Sequence, residues 1–281
     1  MTRTEALRRR SRELLVAKEV AVVVGYRRSI TGPAKPAFIT SPDNSDILIF
    51  DETCGPNLAN YLLRVRHLGR IAVVAKGCDS RSLLVLLKEG QLERKNIHIL
   101  GVGCPGVIED ENLSDSCTTC VQHNPVVFDE MVGEPVAETS GRKDAQDRLV
   151  QFESLSPDER WQELTSDLAR CIRCYACRQV CPNCYCPVCF VDNNMPQWVG
   201  RTTGLSDNII FHIVRALHMA GRCVECGACA RACPVGIDLM RFNCKVARIV
   251  KERFGATAGM DPAEPPALAA FRPEDPQEFI R

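Results

Sequence analysis

Two segments of the chain carry the same cysteine word, Cys-x-x-Cys-x-x-Cys-x-x-x-Cys-Pro. The first is Cys171, Cys174, Cys177, Cys181 and Pro182; the second is Cys223, Cys226, Cys229, Cys233 and Pro234. This is the ligand spacing of a cubane iron–sulfur cluster, in which the fourth cysteine of a two-cluster protein ligates the other cluster. Crossed ligation is therefore expected. Cys171, Cys174 and Cys177 would join Cys233, while Cys223, Cys226 and Cys229 would join Cys181. The proline after each fourth cysteine fixes φ and offers no N–H. Small neighbours, Ala176, Ala228, Ala230 and Ala232, let the backbone approach the sulfides, and Ile172, Val180, Val235 and Ile237 can exclude water. Zinc also binds paired Cys-x-x-Cys, but its ribbons use two separated pairs, not a triplet followed by Cys-Pro. The chemistry implied is electron transfer.

Three more thiols follow the first word at once: Cys184, Cys186 and Cys189. They read either as three ligands of a further centre, its fourth ligand from elsewhere, or as one substitute ligand and reduced thiols in an apolar loop. Upstream, Cys78 and Cys104 fall where two successive strands should end, the edge at which open α/β sheets bind ligands. Cys117 and Cys120 follow as a Cys-x-x-Cys loop. These four are expected to share a third [4Fe-4S] cluster, with zinc or a redox-active Cys117/Cys120 dithiol as alternatives. Cys54 and Cys244 have no partner by spacing and read as buried thiols. Lys76, Asp79, Ser80 and Arg81 sit at an expected helix start, where anions bind. They are the candidate residues for the phosphate of a flavin such as FAD, although neither a Gly-x-Gly-x-x-Gly fingerprint nor a P-loop is present.

The elements that must position these residues form two groups. Residues 2–18 have the pattern of a polar helix. The continuous apolar run 20–25 suits a buried strand, 71–75 and 97–102 read as further strands, and 37–40 and 47–50 as short ones. Helical spacing runs through 57–68 and 80–89, and Gly90 is a good stop. This alternation predicts an α/β N-terminal domain with a small parallel sheet over 1–150 and a right-handed crossover. Helices are expected over 157–168, where Ser156 can cap ahead of Pro157, and over 205–220 and 238–254. Residues 151–255 thus read as a mainly helical dicluster domain. Residues 256–281, rich in proline, read as an extended tail, disordered alone or laid on a partner.

Composition narrows the function. The 281 residues are 25 % charged and 45 % hydrophobic, with a formal net charge of zero. Such a balance gives no support to nucleic-acid binding, and aromatics at 6 % do not supply interleaved stacking residues. No apolar run approaches the roughly 18 residues of a membrane span. Arg8, Arg9 and Arg10 resemble the start of an export signal, but Lys18 and Glu19 interrupt the apolar region that should follow. The chain is expected to be cytoplasmic, where 17 cysteines mean metal or redox chemistry rather than disulfides.

Over about residues 165–255 the two cysteine words resemble the dicluster ferredoxin module of heterodisulfide reductase iron–sulfur subunits. The N-terminal half is similar to the beta-subunit family of deazaflavin-dependent hydrogenases and dehydrogenases, through Ile71–Asp79 (IAVVAKGCD) and Ile99–Gly106 (ILGVGCPG). The resemblance implies an alpha-helical ferredoxin-like C-terminal domain and an electron-transfer subunit of an anaerobic redox complex, partnered by other subunits. It also implies flavin and electron relay between a deazaflavin and a hydrogenase or formate dehydrogenase. A flavin-dependent oxidoreductase, and a zinc-stabilised nucleic-acid-binding protein, are the competing readings.

Overall fold

A computed structural model of the chain describes residues 1–30, 32–109, 111–138, 144–267 and 273–274. Its N-terminal part is a mixed sheet with helices against it. Helix α1 (Arg3–Val16) is closed by a capping box between Thr2 and Glu5 and buries Ala6, Leu7, Leu14 and Leu15 along one stripe. Strand β1 (Val22–Arg27) is followed by β2 (Lys35–Ile39) and the two-residue β3 (Leu48–Ile49). Helix α2 (Ala59–Val65), β4 (Ile71–Ala75), α3 (Gly77–Lys88) and β5 (Ile97–Gly101) complete the alternating part. A small hairpin, β6 (Ile108–Glu109) with β7 (Asn112–Leu113), precedes the one-turn α4 (Asp115–Thr118) and the short β8 (Glu130–Met131).

Sheet order is β2-β1-β4-β5-β8. Strands β1, β4, β5 and β8 run parallel, whereas β2 and β3 both pair with β1 antiparallel. The sheet is thus mixed, not wholly parallel. The link between β1 and β2 is too short for the crossover that a parallel neighbour needs, so the chain folds back as a hairpin. All ten residues of β4 and β5 are buried. That is why β4 is an unbroken apolar run without alternation, and β5 is interrupted only by His98, which pairs with Glu130.

The C-terminal part is helical: α5 (Asp144–Ser154), α6 (Pro157–Ala169), α7 (Ala176–Gln179), α8 (Leu205–His218), α9 (Ala228–Arg231) and α10 (Leu239–Phe254). Ser156 and Glu159 form the capping box of α6 behind Pro157. Helix α5 runs across the boundary expected at 150. Asp238 caps α10, and Gly255 ends it in the left-handed conformation at φ 68°. The core here is small and includes cysteines: Leu168, Phe211, Ile237 and Leu239 pack with Cys171, Cys177 and Cys229. Residues beyond α10 do not simply extend away. Ala256 is buried, and the Ala258 carbonyl accepts from Arg81 Nε at 3.1 Å and from Nη2 at 3.0 Å. The expectation for 268–272 and 275–281 lies outside the described residues. Among the described residues no helix is long and apolar enough to cross a membrane.

Candidate metal centre

The two cysteine words adopt the same local backbone. In the first, Arg173 and Tyr175 have φ of 56° and 60°; in the second, the matching Glu225 and Gly227 have 58° and 71°. A one-turn helix, α7 or α9, then begins at the residue before the third cysteine. Left-handed residues at alternate positions curl the chain so that successive N–H groups point inward, an anion-receiving concavity. Arg173 N donates to Cys171 Sγ at 3.4 Å, and Ile237 N to Cys233 Sγ at 3.3 Å. Backbone N–H groups of Glu225 and Ala230 likewise serve Cys223 and Cys229. Three non-glycine residues in this conformation cost of order 1–3 kcal/mol each, strain that persists where the surroundings impose it at a functional site.

Helices α7 and α9 pack together and bring the words face to face. Cys181 lies beside Cys229 and Cys226 of the second word, and Cys171 beside Cys233. Each fourth cysteine therefore adjoins the opposite triplet. Burial, reinforced by neighbouring thiols, pushes Cys181 up to about 12 and Cys177 up to about 11. The thiols are protonated near neutrality, so taking up metal must release protons.

Residues outside the words complete the surroundings, and the cysteine spacing alone did not point to them. Asn208, His212 and Arg215 lie at i, i+4 and i+7 on α8, and all three are buried. Asn208 Nδ2 holds the Leu168 and Cys171 carbonyls at 3.0 Å each. His212 Nε2 is 3.3 Å from Cys171 Sγ, and burial lowers this imidazole to about 4, keeping it neutral. Arg215 donates to the Cys177 carbonyl at 3.0 Å and stands among Cys181, Cys229, Cys177 and Cys184. On α10, Asn243 Nδ2 reaches Cys229 Sγ at 3.4 Å. In the sequence Asn208, His212 and Arg215 show only as polar residues at helical spacing, and their burial emerges with the fold.

Several buried polar atoms here have no protein partner: Arg215 Nε, Arg173 Nε and Nη1, and the Oδ1 atoms of Asn183, Asn208 and Asn243. An uncompensated guanidinium facing thiols is costly in a dry site. The all-sulfur donor set, the inward N–H groups and these cations fit an anionic iron–sulfur cluster.

In the N-terminal part, Cys78, Cys104, Cys117 and Cys120 line one cavity, together with Lys76 and His123. Cys78 sits in the first turn of α3, not in a turn before it, and Cys104 lies three residues beyond β5. Val107 N donates to Cys117 Sγ at 3.4 Å. His123 Nδ1 lies 2.9 Å from the Cys104 carbonyl. Cys226 of the second word lines the same cavity, so the two regions share a wall. Arg231 clamps that wall through Ser116 Oγ at 2.9 Å and the Gly55 carbonyl at 3.1 Å. Among the described residues no three Cys, His, Asp or Glu side chains are gathered tightly enough for a single metal ion.

The four candidate phosphate-binding residues are engaged inside the fold. Lys76 and Asp79 are both buried and ion-paired at 2.9 Å; Lys76 also bonds the Tyr26 hydroxyl, and Asp79 accepts from Leu58 N at 2.6 Å. Ser80 Oγ donates to the Gly77 carbonyl and accepts from Val126 N, each at 2.8 Å. Arg81 holds Ala258 and the Val224 carbonyl. In this structure the helix start is closed by its own neighbours, and each of the four side chains has partners within the fold. Cys54 is buried beside Asp51, and burial pushes it up to about 12. Cys244 is half-buried and bonded to Glu225.

Comparison with known proteins agrees with this chemistry. Residues 170–238 match the family model of a 4Fe-4S dicluster domain. The chain is 31 % identical over 108 residues to the F420-dependent formate dehydrogenase subunit beta of Methanocaldococcus jannaschii, a stretch covering 38 % of this chain and 27 % of that relative. Here the chain spans about a quarter of the relative it matches. A second relative, the F420-dependent formate dehydrogenase 1 subunit beta of Methanococcus maripaludis, is 24 % identical over 337 aligned positions, covering 85 % of this chain and 86 % of the relative. Residues 170–238 thus match a 4Fe-4S dicluster domain, and the similarity to these beta subunits supports iron–sulfur electron transfer.

Proposed function

We propose that the chain is the electron-transfer subunit of a multi-subunit oxidoreductase that oxidises formate or a comparable low-potential substrate. It would pass electrons between the catalytic subunit of that complex and a deazaflavin or nicotinamide carrier. The observation that carries the reading is the repeated left-handed backbone of the two cysteine words, each aiming N–H groups at its sulfurs. Cys171, Cys174, Cys177 and Cys233 would hold one cluster, and Cys223, Cys226, Cys229 and Cys181 the other. When bound, such clusters take up and release single electrons, at potentials set by hydrogen bonds to sulfur and by burial.

The chain's own residues prepare these sites. Arg215 supplies a buried positive charge, Asn243 and the loop amides supply hydrogen bonds to sulfur, and Phe211 excludes water. Cys78, Cys104, Cys117 and Cys120, which line the N-terminal cavity, would hold a third cluster, and the shared wall at Cys226 would bring the two regions within short electron-transfer reach. Electron transfer through the clusters does not itself require a resident flavin.

Anaerobically purified protein should show a broad visible absorbance that bleaches with reduced deazaflavin and returns with a one-electron acceptor. Failure of any low-potential donor to bleach it would end the electron-transfer reading.

A further inference from the structure

The loop after the first word forms a site of its own. Cys184, Cys186 and Cys189 line one wall of a cavity of about 520 Å³. Arg178, Arg215 and Arg222 line it too. Arg178 bonds the Cys189 sulfur as well as Asp192, which it meets at 2.8 Å. Arg215 is 4 % exposed, and its Nε has no partner. Arg222 lies over the Tyr185 ring at 5.2 Å and pairs with Glu89 at 2.7 Å. Tyr185 bonds Glu89 too, so α3 fixes this loop from the opposite side.

Three thiols on six residues, facing three guanidinium groups, form a receiver for a compact, strongly negative group. Arg178 and Arg222 are paired with Asp192 and Glu89, but Arg215 is buried with no carboxylate partner among the described residues, and a reduced apolar loop would leave that charge uncompensated. The thiols are near neighbours, and labile sulfide separates a cluster there from a single zinc ion. The cavity lining holds no fourth thiol among the described residues.

We propose that Cys184, Cys186 and Cys189 hold a further [4Fe-4S] cluster through three thiolates, with Arg178 and Arg215 balancing its charge. Its fourth coordination position is left to a non-cysteine ligand. The inference rests on the reading of the chain as an iron–sulfur protein, but concerns a centre distinct from the dicluster pair and the N-terminal cysteines.

The test uses the full chain, purified anaerobically and reconstituted with ferrous iron and sulfide. Replacing the three residues together (Cys184→Ser, Cys186→Ser, Cys189→Ser) should remove about four irons and four sulfides per chain and leave the remaining signals unchanged. Because the triple variant could fail to fold, the unaltered protein supplies a second readout. Cys186 is exposed. As a ligand it should resist iodoacetamide in the loaded protein and react once the iron is chelated. Unchanged iron in a folded triple variant, loss of one metal without sulfide, or rapid alkylation of Cys186 in loaded protein would each overturn the proposal. Loaded wild-type protein lacking labile sulfide altogether would instead overturn the broader reading.

Discussion

At the scale of single residues, what matters is what faces the sulfurs. The Asn243 amide donates to Cys229 Sγ. Such a bond stabilises the more negative, reduced state of a cluster. Asn243→Leu should therefore lower the midpoint potential of that one cluster in a redox titration; no change, or a rise, would refute the assignment. Cys54 shows the opposite environment, a thiol with no metal to serve. Burial lifts it from 9.0 to about 12. The folded chain holds this proton where the unfolded chain has lost it, so the contribution to stability is complete below about pH 9 and is lost as pH rises toward about 12. Urea unfolding should weaken across that range less steeply in Cys54→Val than in the parent. Equal slopes would show that Cys54 is not the titrating group. The ligand candidates themselves were readable from spacing. Asn208, His212, Arg215 and Asn243 were not, because a buried asparagine or arginine looks in sequence like any solvated polar residue until its helix face is known.

At the scale of elements, the cysteine loops depend on backbone shape as much as on ligands. Gly227 takes φ 71°, and a side chain there would collide with the Ser116 hydroxyl. Gly227→Ala should cost about 1–2 kcal/mol from the left-handed conformation alone, and more from the collision. Thermal unfolding and iron retention should both fall; an unaffected variant would mean the loop is not held in this shape. The chain ends of α1, α6, α8 and α10 follow closely from caps and periodicity, since Thr2, Ser156 and Asp238 are strong local signals. The antiparallel turn into β2 follows from its short link to β1, but the pairing of β3 with the same strand was not legible, because partner choice is set by tertiary packing and not by strand composition. The start of α3 was also placed too late. Gly77 is permissive, and the helix start is marked by cap bonds instead: Lys76 N donates to Asp79 Oδ2 at 3.0 Å and Ser80 N to the Lys76 carbonyl at 2.9 Å.

At the scale of the whole molecule, the N-terminal sheet and the cysteine domain are tied by a few polar clamps. Arg231 reaches Ser116 and Gly55, Arg222 and Tyr185 reach Glu89, and Arg81 holds both Val224 and Ala258. Arg81→Ala should free the residues after Gly255, and limited proteolysis should cut them faster than in the parent; an unchanged digestion pattern would show that the tail is anchored elsewhere. The C-terminal core is small and built partly of its own ligands, so its folding should depend on metal. The account's central claim is that the two repeated words hold two cubane clusters. It is tested most directly by iron and acid-labile sulfide analysis of anaerobic protein, with electron paramagnetic resonance after dithionite reduction. The account predicts at least about eight irons and eight sulfides per chain, with signals from interacting reduced clusters. Stoichiometric zinc without labile sulfide would contradict it.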